Sequence, residues 1–245
     1  MKGNEYISIV AKTIEDAWET QKEVLDAVED RIVDTIAKKS NVYLFGCSHA
    51  GILAEEMFYR TGGLAVLNPI MFSGFMLNTR PITMTSKLER LPGLAKIILE
   101  ENHLKSGDTL IIHSVSGRNT VSVEMAQEAR KMGVFVIGIT NLAYSTAVTS
   151  RAPDGKHLYE VCDAVIDNKG VKGDAAVHVD GFSEAIGPTS TAVGTAILNA
   201  IVVDVIEKLV GNNILPPVFM SANIDGGDEH NRRLFDEYGD NIFYM

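Results

Sequence analysis

Two short stretches gather the side chains most able to do chemistry. Phe45-Gly46-Cys47-Ser48-His49-Ala50-Gly51 joins an apolar run to a helical pattern, and its two glycines let the backbone approach a ligand closely. His113-Ser114-Val115-Ser116-Gly117-Arg118-Asn119-Thr120 collects hydroxyls and an amide at the start of another helical pattern. Ser114, Ser116, Asn119 and Thr120 offer side-chain donors, and the first turn of a helix adds N–H groups that have no partner within the helix. Such a set suits the acceptor oxygens of a phosphate without any lysine. Ser and Asn at a helix start are most commonly caps, so the short Ser-x-Ser-Gly pattern by itself leaves capping and binding both open.

Other chemistries are not indicated. Gly46 and Gly51 do not make G-x-G-x-x-G, no P-loop lysine follows, and no serine stands in G-x-S-x-G, which argues against dinucleotide, ATP and serine-hydrolase sites. The histidines, at 49, 103, 113, 157, 178 and 230, lack the close spacing of metal ligands. We therefore expect no metal and no cofactor.

The turns need elements to hold them. Apolar residues recur as Ile7, Val10, Ile14, Trp18, Leu25, Val28, Ile32 and Ile36, with Gln21 as a polar exception, which predicts one long amphipathic helix from Asn4 to about Lys38. Beyond it, strands are expected at 42–45, 109–113, 134–140 and 164–167, with a further one possible at 64–67. Helices are expected at 52–59, 91–102, 119–132 and 189–209. Short apolar strands separated by helices indicate βαβ units and a doubly wound parallel sheet covered on both faces. The chain reads as a single domain over 1–245, with an N-terminal helix in 1–40 and a loop-rich tail over 211–245. In parallel sheets ligands bind beyond the carboxyl ends of the strands, where both turns fall.

Composition narrows the partners. The 245 residues carry 22 Lys and Arg against 32 Asp and Glu, a formal charge of −10, which argues against a nucleic-acid or anionic-membrane surface. Cys47 and Cys162 form no spaced framework and read as free thiols. The N-terminus lacks a secretory pattern, and the longest apolar stretch, 192–203, is too short and too interrupted to span a membrane. A soluble cytoplasmic protein is expected. The long first helix must bury its stripe on its own core or on a second subunit, so a homo-oligomer is also expected.

Tyr43-Leu44-Phe45-Gly46, Ser114-Val115-Ser116-Gly117-Arg118-Asn119 and Gly133-Val134-Phe135-Val136-Ile137-Gly138-Ile139-Thr140 together resemble the SIS (sugar isomerase) domain family in order and spacing. Gly187-Pro188-Thr189-Ser190-Thr191-Ala192-Val193-Gly194-Thr195-Ala196 looks like the last helix of the N-acetylmuramic acid 6-phosphate etherase branch. The resemblance implies a three-layer sandwich around a five-stranded parallel sheet, assembled as dimers or tetramers, with a sugar phosphate near the subunit boundary. It implies phosphate binding by Ser114, Ser116, Gly117 and Asn119, to which the residue types of the two turns add Thr120 and Ser48. That raises binding above capping.

Two positions depart from the family. Its Gly-x-Gly-x-Ser after the first strand is here Gly46-Cys47-Ser48-His49-Ala50, so the only nearby hydroxyl is Ser48. Arg60 stands where heptose-phosphate isomerases and the etherase carry a glutamate base, so neither activity is carried over. Isomerisation or β-elimination needs Glu or His as acid and base. Candidates are Glu55, Glu56, Glu184, His49, His178 and His230, of which Glu184 comes first, because the resemblance places Gly187-Pro188-Thr189 near the sugar. His230 comes second, as a tail histidine able to reach a neighbouring subunit. Arg60 is expected to pair with Glu56 one turn earlier. The resulting expectation is a cofactor-independent isomerase or lyase of a phosphorylated (amino) sugar. The alternatives are a non-catalytic sugar-phosphate sensor and, behind it, a ligand-free structural oligomer whose serines are buried caps.

Overall fold

A computed structural model describes residues 1–245. Five strands form the central sheet: β1 Val42–Gly46, β2 Leu67–Pro69, β3 Thr109–His113, β4 Phe135–Thr140 and β5 Ala164–Asp167. Their order is β2-β1-β3-β4-β5 and every pairing is parallel. Alternation along the strands splits the core in two. Val42, Leu44, Ile111, Ile137, Ile139 and Ile166 enter one apolar cluster, and Tyr43, Phe45, Leu110, Ile112 and Val136 enter the other.

Helices cover both faces, as burial of a parallel sheet requires. The helices are α1 Lys2–Glu19, α2 Lys22–Ala37, α3 Ile52–Met57, α4 Thr85–Leu88, α5 Leu94–Glu100, α6 Thr120–Lys131, α7 Leu142–Ser145, α8 Leu158–Val161, α9 Ser190–Gly211 and α10 Gly227–Tyr238. Residues of α1, α2, α3, α9 and α10 pack into the first cluster, and those of α5, α6 and α8 into the second. This is the doubly wound three-layer architecture with a five-stranded parallel sheet.

Three local features differ from the sequence expectation. The N-terminal helical stripe is divided into α1 and α2, and the break falls at the polar exception. The Gln21 amide donates to Ala17 O and Asp167 O, both at 2.7 Å, and its Oε1 accepts from Asp167 N at 2.9 Å. Gln21 thus pairs with the end of β5 in place of a further strand. Second, the tail is not all loop. The polar run 225–233 opens α10, whose Leu234 and Tyr238 are buried. The residues after it close the edge at β2: Asn68 Nδ2 donates to Asn241 O at 2.9 Å, and Phe243 N to Asn68 Oδ1 at 2.8 Å. Third, a small antiparallel hairpin, β6 Ala175–Val177 with β7 Ile186–Pro188, precedes α9. Its strands are too short for their alternation to stand out.

Candidate active site

The chain leaves β1 for β2 on one side, while β3 lies on the other, so the sheet's switch point is at the carboxyl ends of β1 and β3. The first turn is shaped by Gly46. A Cβ there would lie 2.4 Å from Ala50 O, so only glycine lets the chain fold back so tightly. Ser48 follows with φ +58°, a left-handed conformation costly for a residue with a Cβ and concentrated at functional sites. His113 pairs in register with Gly46, and its Nδ1–H donates to Ala50 O at 3.1 Å, tying the two turns together. That bond leaves Nε2 as a buried acceptor without a partner. Burial pushes the His113 pKa down to about 4, so the ring is neutral at physiological pH.

The second turn has its carbonyls engaged by the protein. Val115 O accepts from Asn141 N and Thr140 Oγ1, Ser116 O from Ser145 Oγ, Gly117 O from Leu158 N, and Arg118 O from Arg151 N. Gly117 has φ +58°, and a Cβ would meet Ser145 Oγ at 2.9 Å and Thr140 Oγ1 at 3.0 Å, so this position also requires glycine. The donors are left over. The N–H groups of Val115, Ser116, Arg118, Asn119, Thr120 and Ser122 have no acceptor in the protein. Six free donors near a helix N-terminus are groups that an anion can satisfy.

Between the turns lies a cleft of about 310 Å³. From the first turn it is lined by Cys47, Ser48, His49 and Ala50, and from the second by Ser114, Val115, Ser116, Asn119 and Ser122. Glu89, Tyr144, Gly173 and Asp174 complete it. Burial raises the Glu89 pKa above the ordinary carboxylate value, opposed by hydrogen bonding from Asn119 and by the charges of Arg90 and Arg151. Asn119 Oδ1 accepts from Arg151 Nη1 at 2.7 Å, so this amide links a guanidinium to the carboxylate. Burial also pushes the Cys47 thiol well up, with the Glu89 charge adding to the effect, so Cys47 remains a thiol. Asp174 caps α9: its Oδ1 accepts from Ser190 N at 2.8 Å and its Oδ2 from Ser190 Oγ at 2.6 Å.

The structure brings together Ser48, Ser114, Ser116 and Asn119, and Gly117 supplies the bend that exposes their turn. Thr120 is turned away. It is 1% exposed and its hydroxyl donates to Arg151 O at 2.9 Å. Glu184 lies exposed in the 178–185 loop, accepts from Ser183 Oγ at 2.6 Å, and does not line the cleft of its own chain. His230 lies on α10, where its Nε2–H donates to Val218 O at 2.9 Å, and it is likewise outside the cleft. Of the other candidates, His49 lines the cleft, Glu55 borders a narrow crevice beside Ser48, and Glu56 is paired with Arg60. Sequence reasoning missed Glu89, Tyr144, Ser122 and Asp174. Ser122 alone carried a signal, being one helical step beyond the serine turn. Glu89 stands in an irregular stretch where nothing local distinguishes it from a surface acid.

No group of three or more His, Cys, Asp or Glu side chains is gathered closely enough to hold a metal ion, and no helix is long and apolar enough to cross a membrane.

Comparison with known proteins gives consistent findings. The family model for the SIS domain matches residues 5–141. The UPF0309 protein of Shouchella clausii is 47% identical over 241 residues, covering 98% of each chain. Among solved structures, the sugar isomerase domain of an RpiR transcription factor from Sphaerobacter thermophilus superposes with a TM-score of 0.51 at 13% identity, covering 97% of this chain and 98% of that one. A phosphoheptose isomerase from Francisella tularensis superposes with a TM-score of 0.53 at 12% identity, covering 84% and 97%. At such identities the structural likeness shows the fold.

Proposed function

Since the chain belongs to the SIS domain family, alongside the UPF0309 proteins, we propose that its switch-point cleft binds a sugar phosphate and that Glu89 moves a proton on the bound sugar. The observation that carries the first part is the set of six unpartnered N–H groups over 115–122, with every carbonyl from Val115 to Arg118 engaged elsewhere. The phosphate oxygens accept from these amides and from the Ser114, Ser116 and Ser48 hydroxyls. The sugar then extends past Asn119 toward Glu89.

Glu89 suits acid–base work because burial raises its pKa toward the operating range, and a weaker acid is a stronger base in its ionised form. In an isomerisation its carboxylate takes the proton from the carbon beside the carbonyl. The C–H electron pair forms the C=C bond of an enediolate as the carbonyl oxygen takes the charge, and the neighbouring hydroxyl proton passes to that oxygen. The protonated carboxyl then returns its proton to the adjacent carbon as the second oxygen becomes the carbonyl. In a lyase reaction the same abstraction ends with the electron pair expelling an oxygen substituent on the next carbon, which leaves with a proton. Neither sequence of steps calls on a cofactor.

One observation favours a second reading, a sensor that holds the phosphosugar without reacting it. The position of the family's glutamate base is Arg60, and its guanidinium is paired with Glu56 outside the cleft. A single experiment separates the two. The purified protein and its Ser116→Ala variant are melted with a panel of sugar phosphates, and each compound that binds is then incubated in D2O and followed by NMR. Stabilisation of the wild type, lost in the variant, supports the binding site, and deuterium entering the carbon beside the carbonyl supports the enzyme. Stabilisation without exchange leaves the sensor, and no stabilisation by any sugar phosphate at millimolar concentration rejects the binding site.

Assembly is part of the proposal. Val203 and Val210 on α9 are 63% and 59% exposed, and the hairpin loop carrying Glu184 stands clear of its own cleft. Cover by a second copy would bury these side chains. Light scattering giving the mass of one chain would reject it.

A further inference from the structure

Three arginines stand beside the cleft without a direct ion pair. Arg118 follows the serine turn, Arg151 is bonded to it through Arg151 N and Arg118 O at 2.8 Å, and Arg90 adjoins Glu89. Elsewhere in this acidic chain some cations have carboxylate partners, Arg60 with Glu56, Arg130 with Asp163, and Lys208 with Asp26, Glu29 and Asp30, and others, such as Arg31, Arg80 and Arg232, have none. No carboxylate lies within 4.0 Å of Arg90, Arg118 or Arg151.

What sets Arg90, Arg118 and Arg151 apart is their placement. Arg118 Nη2 donates to Thr149 Oγ1 at 3.1 Å, but its Nε is buried and has no partner. Arg151 Nη1 donates to Asn119 Oδ1, a cleft residue, and the like charges of Arg118 and Arg90 bear on it, partly offset by the charge of Glu89. Like charges held together repel, and an unpaired buried donor costs free energy comparable with a lost hydrogen bond. Both costs are removed when an anion arrives, because a guanidinium fork matches the oxygens of a carboxylate or phosphate. The free amides need only one phosphate to satisfy them, so the arginines are left to a different group.

We propose that the cleft takes a phosphosugar carrying a second anionic group, a carboxylate or a second phosphate, received by Arg118 and Arg151 with Arg90 behind them. This rests on the phosphate reading above. It places Glu89 between the two anionic ends, with the sugar carbons across its carboxylate.

The test is calorimetric titration, at one ionic strength, with three probes: glucose 6-phosphate, 6-phosphogluconate and glucose 1,6-bisphosphate. At least one of the two doubly substituted probes should bind tenfold or more tighter than glucose 6-phosphate. That preference should fall below threefold in Arg118→Gln/Arg151→Gln. Should that variant fail to fold, Arg90→Gln/Arg151→Gln alters two exposed side chains and should show the same loss of preference. Equal binding of all three probes to the wild type would overturn the second subsite while leaving the phosphate site in place. So would a preference that survives the arginine variants, or glucose 6-phosphate binding that falls as far as that of the other probes. Binding of none would overturn both.

Discussion

The hollow between the end of α3 and α10 is larger than the cleft at the switch point, about 440 Å³ against about 310 Å³, and it too is lined by aromatic and charged residues. Two of its polar side chains are engaged by the protein. Arg60 pairs with Glu56, and Asn231 both donates to Met220 O at 2.8 Å and accepts from Met220 N at 2.9 Å. Its rings pack on one another, Tyr59 on Phe219 with centroids 5.5 Å apart and Phe219 on Phe235 at 5.6 Å. Around the cleft, six N–H groups, a histidine nitrogen and a guanidinium nitrogen lack partners. Volume therefore says less about a site than the unmet hydrogen-bonding capacity of its walls, because native structures seldom leave such groups unpaired without a use.

The widest separation of the two regions should come from Glu89→Gln. The change keeps shape but removes the base, so proton exchange on a bound sugar phosphate should fall by about 10²–10⁴, while the melting-temperature gain from that ligand persists. Exchange at the wild-type rate would remove Glu89 from the mechanism.

Next comes His113, whose cost of burial shows as pH dependence. Its folded pKa of about 4 lies below the ordinary value of 6.5, so between these pH values the unfolded chain binds the extra proton and stability rises with pH. Stability is full above about pH 6.5 and declines on acidification toward pH 4, by roughly 3 kcal/mol for this single group. Urea unfolding at pH 7 and pH 4.5 should show His113→Gln losing less stability on acidification than the wild type. Equal losses would mean that the histidine is not held neutral.

Gly117→Ala sets a Cβ against Ser145 and Thr140 and holds alanine at a positive φ. It should lower stability by about 1–3 kcal/mol and abolish stabilisation by sugar phosphates. Unaltered ligand binding would show that the phosphate site does not depend on this bend.

The smallest effect is expected in the hollow. Arg60→Ala breaks a pair whose side chains are 41% and 38% exposed, which should cost no more than about 1 kcal/mol. Sugar-phosphate binding should be unchanged. A clear loss of binding would return the hollow to consideration as a site.

Much of this was legible in the residues, for identifiable reasons. Runs such as Thr109–His113 and Ala164–Asp167 are short, apolar and bounded by turn residues, so the strands emerge from local pattern, and the serine turn falls after a strand by position alone. Gln21 stood out as a break in the stripe, but its service as a clamp on Asp167 depends on β5, far along the chain. The hairpin β6–β7 and α10 escaped notice, the first because three-residue strands carry almost no periodicity and the second because its exposed face dominates its composition.

What the amino-acid sequence determined by itself is therefore the fold class, the parallel sheet and the location of the Ser114–Asn119 turn, since each follows from side-chain period and backbone preference within a few residues. Only the tertiary structure decided which donors remain free and which acid faces them. Whether Ser116 N is satisfied depends on carbonyls turned toward Ser145, Leu158 and Arg151, and the raised pKa of Glu89 depends on burial beside Asn119. Both are properties of distant segments meeting, because hydrogen-bond saturation and desolvation are set by everything within a few ångströms, whatever its place in the chain.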